Sequence, residues 1–266
     1  MRVAAVGGCV VAAMACSGPP RDEAAGAGGG GAASGASAVG AAARSGSATG
    51  GRAAPAPARP STGELQIRVE WRDVPVAARS SPGRTPCGTP RAASVAPTTT
   101  WGIPDALVLV DGAPRPAAPP VARVTLADCA LAPRIAAGAG LAITSAVERP
   151  AKLVLRKRGA IDRLEDGAAV PVLLPIAGHT VAAALDAGAI YALETDAADP
   201  EVAYIAALPA QISDATGHVI VRDLAPGAHA VTAWLPPRAG QPARTGRGSA
   251  TVVAGELAEL TVVLAP

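Results

Sequence analysis

The sequence lacks phenylalanine altogether, and two tyrosines and three tryptophans are its only other aromatic side chains. A core must therefore be built mainly from Val, Leu, Ile and Ala, each of which buries less area than an aromatic ring. A large excess of positive or negative charge is also lacking, because the formal net charge is only +2. A nearly neutral chain gives no electrostatic reason for binding nucleic acid, and we expect no such partner.

A long membrane-spanning run is missing from the amino terminus. The apolar stretch after Arg2 ends at Ala15, short of the roughly 20 residues that a transmembrane helix needs. Residues 1–15 are instead typical of a cleavable signal peptide. Ala13 and Ala15, three and one residues before Cys16, suit signal peptidase cleavage.

Cys16 directly follows this cleavage point, so the stretch resembles a bacterial lipoprotein signal. The resemblance implies that Cys16 is lipidated and that, with Ser17 behind it, the protein is an outer-membrane lipoprotein. Two alternatives stay open, namely lipidation at Cys9 and plain secretion without an anchor. Residues 16–63 are nearly all Gly, Ala, Ser and Pro, a composition that predicts a disordered linker holding a folded domain away from the membrane.

Only two cysteines lie outside the signal region, Cys87 and Cys129. An even pair in an oxidising compartment is typical of a disulfide, which we therefore expect between them.

The hydrophobic pattern of the remaining sequence predicts a series of short strands. In ELQIRVEW, the apolar residues Leu65, Ile67, Val69 and Trp71 alternate with polar ones, the pattern of a half-buried strand. Similar runs, separated by turn signals, predict strands at 106–110, 121–126, 141–145, 152–156, 170–173, 180–185, 190–194, 204–208, 218–222, 228–235, 250–253 and 257–264. The fold class predicted is all-β, an antiparallel β-sandwich. HTVAAALDAG, residues 179–188, is the one segment for which a short helix is an alternative.

ISDATGHVIVRDLAPGAHAVTAWLPP, residues 212–237, resembles the carboxypeptidase regulatory-like, or transthyretin-like, β-sandwich family. Asp214 and Gly217 match its D-x-x-G turn, and Leu224 to Gly227 match the loop before its next strand. We assign residues 201–266 to this segment, with the early strand 64–72 as a candidate to complete it. The resemblance implies a binding or structural module.

Residues 64–200 resemble a plastocyanin-like (cupredoxin) domain. Two stretches carry the resemblance, CGTPRAASVAPTTTWGIPDALVLVDG and LADCALAPRIAAGAGLAITSAVERPAKLVLRKRG. The resemblance implies copper ligands near Ser145 to Ala151 and between Leu193 and Leu208, but no His or Cys stands in either stretch. Because a copper site of this type needs two imidazoles and a thiolate, we expect neither metal nor cofactor.

Three residues remain as candidates for binding. Trp101, between Thr100 and a Gly-Ile-Pro turn, is a candidate contact for a glycan or protein, and packing in the core or at the end of the sandwich is the alternative that a chain so short of large side chains favours. His218 and His229 flank the Leu224 to Gly227 loop, and on adjacent strands they would form a weak metal site.

Catalytic chemistry is not indicated. Ser213, Asp214 and His218 contain the elements of a triad, but turn geometry explains them better, and we expect no enzyme. The basic run at Lys152 and Arg156–Arg158 reads as a solvent face of an edge strand, with anionic lipid headgroups as an alternative contact.

The expected function is that of an exported, lipid-anchored, non-enzymatic β-sandwich module of the cell envelope, with an unidentified envelope protein or glycan as partner. The alternatives are a metal-binding or electron-transfer cupredoxin-type protein and an accessory carbohydrate-binding domain.

Overall fold

The structure is a computed structural model, and it describes residues 61–265 except 82, 86, 92, 94, 96–101, 119, 162, 239 and 240. The signal peptide, Cys9, Cys16, the linker up to residue 60 and Trp101 lie outside the described residues. The described part is nearly all β and has one short helix, α1 (Val76–Arg79), which confirms the predicted fold class. The strands are β1 (Gly63–Glu70), β2 (Leu107–Val110), β3 (Val121–Ala127), β4 (Ala130–Ala132), β5 (Ile135–Ala137), β6 (Gly140–Ser145), β7 (Ala151–Ala160), β8 (Arg163–Leu164), β9 (Ala169–Leu174), β10 (Thr180–Ala184), β11 (Ile190–Thr195), β12 (Val202–Ala206), β13 (Gln211–Ile212), β14 (His218–Leu224), β15 (Gly227–Leu235), β16 (Arg244–Val252) and β17 (Leu257–Val263).

The two ends of the described chain build a first sandwich. One sheet has the order β14-β1-β17, in which β1 is antiparallel to β14 and parallel to β17. The facing sheet has the order β13-β2-β15-β16. Alternate side chains of β1, Leu65, Ile67 and Val69, are fully buried and pack with Val231 and Ala233 of β15.

The middle of the chain builds a second sandwich from a β10-β6-β3-β4 sheet and a β5-β12-β11-β7-β8 sheet, to which β9 adds along β7. Its core is aliphatic and includes Leu141, Ile143, Leu153 and Leu193. In sequence, this sandwich lies between β2 and β13, which pair with each other. The second sandwich is therefore an insertion into the first.

This sheet pairing corrects the expected boundary at residue 200. The chain does not divide there into two successive sandwiches, because β1 and β2 pair with strands that follow residue 210. The early strand at 64–72 does join the carboxy-terminal strands, as proposed, since β1 is hydrogen bonded between β14 and β17. Long-range pairing of this kind leaves no mark in local sequence periodicity.

A third apolar cluster joins the two sandwiches. Leu107 and Trp234, on the outer face of the β2–β15 sheet, pack with Ile135, Ile190 and Tyr204 of the second sandwich. The ring of Tyr204 meets that of Trp234 edge to face at a centroid distance of 5.6 Å. Consequently β11 and β12 are apolar on both faces, the composition typical of strands covered on two sides.

Residues 179–188 contain no helix, and Thr180–Ala184 pairs antiparallel with β6 as strand β10. The helical alternative for this segment is wrong, because tertiary pairing overrides the helical preference of its alanines. Within the part of the chain that the structure describes, no helix is long and apolar enough to cross a membrane.

Cys87 and Cys129 are joined by a disulfide with their Cα atoms 5.8 Å apart. The bond connects the segment between α1 and β2 to the β3–β4 turn of the second sandwich. This connection fixes the segment that carries Arg91.

Candidate functional site

A cavity of about 290 Å³ lies at the junction of the two sandwiches. Its walls come from four separate parts of the chain, the segment after α1, the β4–β5 turn, the start of β12 and the residues that follow β15. The polar side chains that line it are Arg91, Arg134, Asp199, Glu201, Tyr204 and Arg238. We call this space the junction cavity.

Arg91 holds the long segment before β2 against the second sandwich. Its side chain is 7% exposed, and the guanidinium forms ion pairs with the carboxylates of Asp199 and Glu201, the latter at 2.5 Å. A second nitrogen donates to the carbonyl oxygen of Asp199 at 2.7 Å. The hydrogen bond to Asp199, assisted by the charge of Glu201, raises the pKa of Arg91 against the effect of burial. The positive charge of Arg91 is thus matched inside the protein.

Arg134 and Arg238 bring two further guanidinium groups to the same cavity. Arg134 donates to the carbonyl of Ala93 at 3.1 Å, and Arg238 pairs with the carboxylate of Asp105 at 3.6 Å. Burial, followed by the nearby positive charge of Arg134, lowers the pKa of Arg238 to about 10, although Asp105 acts in the opposite direction. With this pKa, Arg238 still carries its positive charge at neutral pH.

The remaining wall of the junction cavity is apolar. Val202, Pro236 and Pro237 line it beside the ring of Tyr204. Burial of Tyr204 raises the pKa of its hydroxyl, so that the group stays a neutral hydrogen-bond donor. Guanidinium groups next to rigid apolar surface make a site suited to binding a ligand of mixed character.

A second cavity, of about 320 Å³, lies beside the disulfide. It is lined by Val147 and Ala151 on one side and by Thr195 to Ala197 on the other, so the two stretches in which the cupredoxin resemblance implies copper ligands do meet in space. The guanidinium of Arg149 lies 3.4 Å from both disulfide sulfurs.

The donors available at this second cavity are already engaged. The carboxylate of Asp196 pairs with Lys152 at 3.1 Å, and the sulfur of Cys129 is in the disulfide. Across the described residues, no group of three or more His, Cys, Asp or Glu side chains is arranged to hold a metal ion.

His229 is buried, and each of its ring nitrogens faces a backbone carbonyl. Nδ1 lies 2.7 Å from the oxygen of Asp111, and Nε2 lies 2.7 Å from that of Ala225. The hydrogen bond to Asp111, followed by that to Ala225, raises the pKa of His229. His229 therefore joins two turns of the first sandwich and does not face a ligand.

His218 stands in a different sheet. It pairs with Arg68 on β1, whereas His229 pairs with Ala250 on β16. The prediction that the two histidines share neighbouring rungs is wrong, because the Leu224 to Gly227 loop carries the chain from one sheet of the sandwich to the other.

Ser213, Asp214 and His218 are not arranged as a catalytic triad. Ser213 is buried, where its hydroxyl donates to the carbonyl of Ile103 and accepts from the amide of Ala106. Asp214 instead accepts from the amides of Thr216 and His218 and from the hydroxyl of Thr216. These hydrogen bonds lower the pKa of Asp214. The residues serve a tight turn, as the sequence predicts.

The basic run is not on an edge strand. β7 lies between β11 and β9, and each basic side chain has an acidic partner. The pairs are Lys152–Asp196, Arg156–Glu194, Lys157–Asp186 and Arg158–Asp166. The edge-strand interpretation is wrong, and the pairing removes the excess positive charge on which headgroup binding rested.

Sequence reasoning missed the three arginines of the junction cavity. A weak signal was present, since Arg91, Arg134 and Arg238 each follow a proline. Arg115 also follows a proline but is exposed and does not line the cavity. The Pro-Arg dipeptide alone therefore does not identify the arginines that line the junction cavity.

Comparisons with models of protein families, with curated proteins and with solved structures found no match.

Proposed function

We propose that the protein is an exported, lipid-anchored, non-enzymatic module of the cell envelope, whose activity is binding at the junction cavity. The observation that carries this proposal is the cavity itself, which four separate segments enclose at the contact between two sandwiches. Sites at such contacts are common places for ligands. Cys16 is the proposed anchor, and the linker to residue 63 is the proposed spacer.

The family resemblances support the same proposal. Gly217 and Gly227, at the positions of the transthyretin-like turns, have φ values of 84° and 140°, which glycine adopts without strain. We propose that the first sandwich is a carboxypeptidase regulatory-like domain and that the insertion is a cupredoxin-like domain without copper.

The anchor is tested by expressing the full chain in a bacterium that processes lipoproteins and labelling it with an alkyne fatty acid. We expect the label on the unsubstituted protein and on the Cys9→Ser variant, and its loss from Cys16→Ser. Retention of label in Cys16→Ser contradicts the assignment, and complete release of the unsubstituted protein into the medium supports plain secretion instead.

Binding is tested by placing a photocrosslinking amino acid at position 202 in the anchored protein. Irradiated cells should give an adduct by mass spectrometry that is absent when the crosslinker replaces Val76, which is exposed and does not line the cavity. Adducts of equal yield at both positions contradict a specific site.

Metal analysis of the purified full chain distinguishes the metal-carrying alternative from the proposed function. Copper or zinc retained at one ion per protein after mild dialysis contradicts the non-metal proposal. The glycan-binding alternative predicts binding on a glycan array that depends on Trp101.

A further inference from the structure

The disulfide between Cys87 and Cys129 can be reached from solvent. Cys87 is exposed, and Cys129 is half-buried, where it lines the cavity of about 320 Å³ beside the bond. A thiolate of another molecule can attack an exposed disulfide without prior unfolding of the protein, and exposed disulfides are accordingly the more easily exchanged ones. The accessibility of this bond therefore permits chemistry that an enclosed structural disulfide does not.

A positive charge lies directly against both sulfurs. One guanidinium nitrogen of Arg149 is 3.4 Å from the sulfur of Cys87 and 3.4 Å from that of Cys129. In the described part of the chain, Arg149 has no carboxylate at ion-pair distance, whereas Lys152, which lines the same cavity, is paired with Asp196. A cation at this place stabilises a thiolate more than a thiol or a disulfide. Arg149 therefore favours whichever sulfur leaves when the bond is broken.

The backbone that carries Cys129 has a conformation that cysteine rarely adopts. Ala127 and Ala130 pair across the β3–β4 hairpin, and the two residues between them, Asp128 and Cys129, have φ values of 45° and 61°. Two left-handed residues make the type I′ hairpin turn, in which glycine is preferred at the second position because a side chain there is sterically unfavourable. Opening the disulfide removes one constraint that holds this turn, which favours the reduced form of the protein.

We propose that the Cys87–Cys129 disulfide is a thiol–disulfide exchange site that accepts two electrons from a dithiol. One thiolate of the dithiol attacks the exposed sulfur of Cys87, the bond between the two sulfurs breaks, and Cys129 leaves as a thiolate beside Arg149. The second thiol of the donor, after losing its proton, attacks the donor sulfur of the mixed disulfide and releases Cys87 as a thiolate, which Arg149 also contacts.

The exchange balances without any further reactant. The dithiol loses two electrons and two protons and becomes a disulfide, while the two cysteines take up the electrons directly and the protons through the solvent. Reduction separates the segment that follows α1 from the β3–β4 turn, because the disulfide is the covalent link between them. This activity goes beyond binding at the junction cavity and does not depend on it.

The test measures reduction of the folded full chain in detergent at pH 7.5, with dithiothreitol as a small dithiol and reduced thioredoxin as a protein dithiol. Samples are quenched with acid and alkylated, and peptide mass spectrometry then reports the free thiols of Cys87 and Cys129. We expect a rate that is proportional to the dithiol concentration and that does not change in urea too dilute to unfold the protein. At equal concentration, the dithiol that reacts faster identifies the donor as a protein or as a small molecule.

Variants at position 149 separate an electrostatic role from a structural one. Arg149→Gln should slow reduction about threefold or more, because the leaving thiolate loses its cationic neighbour. Arg149→Lys keeps the charge and should restore most of the rate. Arg222→Gln, which removes an exposed arginine paired with Glu64 in the first sandwich, should react as the unsubstituted protein does. Circular dichroism checks folding, and the dependence on dithiol and urea concentration in the unsubstituted protein tests the proposal without any variant.

The proposal is overturned if the unsubstituted protein is reduced only as fast as it unfolds. The rate would then rise steeply in dilute urea and reach a plateau at high dithiol concentration. Equal rates for Arg149→Gln and Arg149→Lys would also overturn it, because Arg149 would then not stabilise the leaving thiolate.

Discussion

Two backbone hydrogen bonds of His229 favour its protonated form. Carbonyl oxygens only accept, and a neutral imidazole has a single N–H donor. Because both ring nitrogens lie 2.7 Å from carbonyl oxygens, the geometry is fully satisfied only by the protonated ring. The fold therefore favours the protonated ring, in which His229 donates to the turns at both Asp111 and Ala225.

A pH dependence of stability follows from this raised pKa. The folded-state pKa lies above the value of about 6.5 expected for an unfolded histidine, so the contribution of His229 to stability is complete below pH 6.5. It should be lost as the pH rises through the folded-state pKa. Urea denaturation at a series of pH values from 6 to 9 should therefore show a falling free energy of unfolding.

The variant His229→Gln should lower stability at pH 6 and flatten this slope. His179→Gln, at an exposed position, should leave the slope unchanged. A slope that persists in His229→Gln would assign the pH dependence to another group.

At the scale of single residues, the turn residues were predictable from the sequence but the residues that line the junction cavity were not. Gly217 and Asp214 were predictable because a tight turn imposes local requirements on both. Arg91, Arg134 and Arg238 were not, because their proximity is created by the insertion of one sandwich into the other. The hydrophobic periodicity of the sequence carries no information about the contact between the two sandwiches.

Strands were predictable wherever their apolar residues were numerous enough to show a pattern. Each predicted run corresponds to an observed strand. The strands that were missed, β4, β5, β8 and β13, contain only two or three residues each, too few for alternation to be seen. Sheet membership was not predictable, since β1 has the same pattern whichever strands pair with it.

Gly246 on β16 lies where the two sheets of the first sandwich approach each other closely. A Cβ there would lie 2.6 Å from the carbonyl oxygen of Val263 on β17, a distance that forces the backbone to move. Gly246→Ala should therefore destabilise the protein by about 1–3 kcal/mol. The free energy of unfolding in urea measures the effect.

Gly140→Ala is the matched control on β6, because the nearest atom to its Cβ would be 3.8 Å away. We expect little change or a small gain in stability for this variant. An equal loss of stability in both variants would mean that replacing any glycine in a strand is destabilising, and that the close approach of the two sheets is not the cause.

At the scale of the whole molecule, the disulfide closes a loop across both sandwiches. Cys87 and Cys129 are 42 residues apart in sequence. Loop-closure entropy for that separation corresponds to about 4 kcal/mol. The double variant Cys87→Ser with Cys129→Ser should lose roughly this free energy of unfolding.

The same loss should occur in the unsubstituted protein when unfolding is measured under a strong thiol reductant, while the double variant should be insensitive to the reductant. If the reductant leaves the stability of the unsubstituted protein unchanged, the disulfide does not contribute to the free energy of unfolding.

The largest fully buried side chain of the protein's described part, Trp234, lies in the contact between the sandwiches, where it is 1% exposed and meets Tyr204. Trp234→Ala should cost about 3–5 kcal/mol, as expected when a large buried side chain is removed. Calorimetry should then show two separate transitions in place of one. Trp71→Ala, in the core of the first sandwich, should lower stability without separating the transitions.

The position of β1 has a consequence for the order in which the chain can assemble. A chain that is synthesised, or threaded through a translocon, from its amino end delivers β1 early. Its two neighbours begin only at His218 and Leu257. The inserted sandwich can thus fold while β1 and β2 are still unpaired. A nascent chain stopped near residue 210 would carry a folded sandwich preceded by two strands without their partners. Among the described strands, β17 emerges after all the others, and it completes the first sheet.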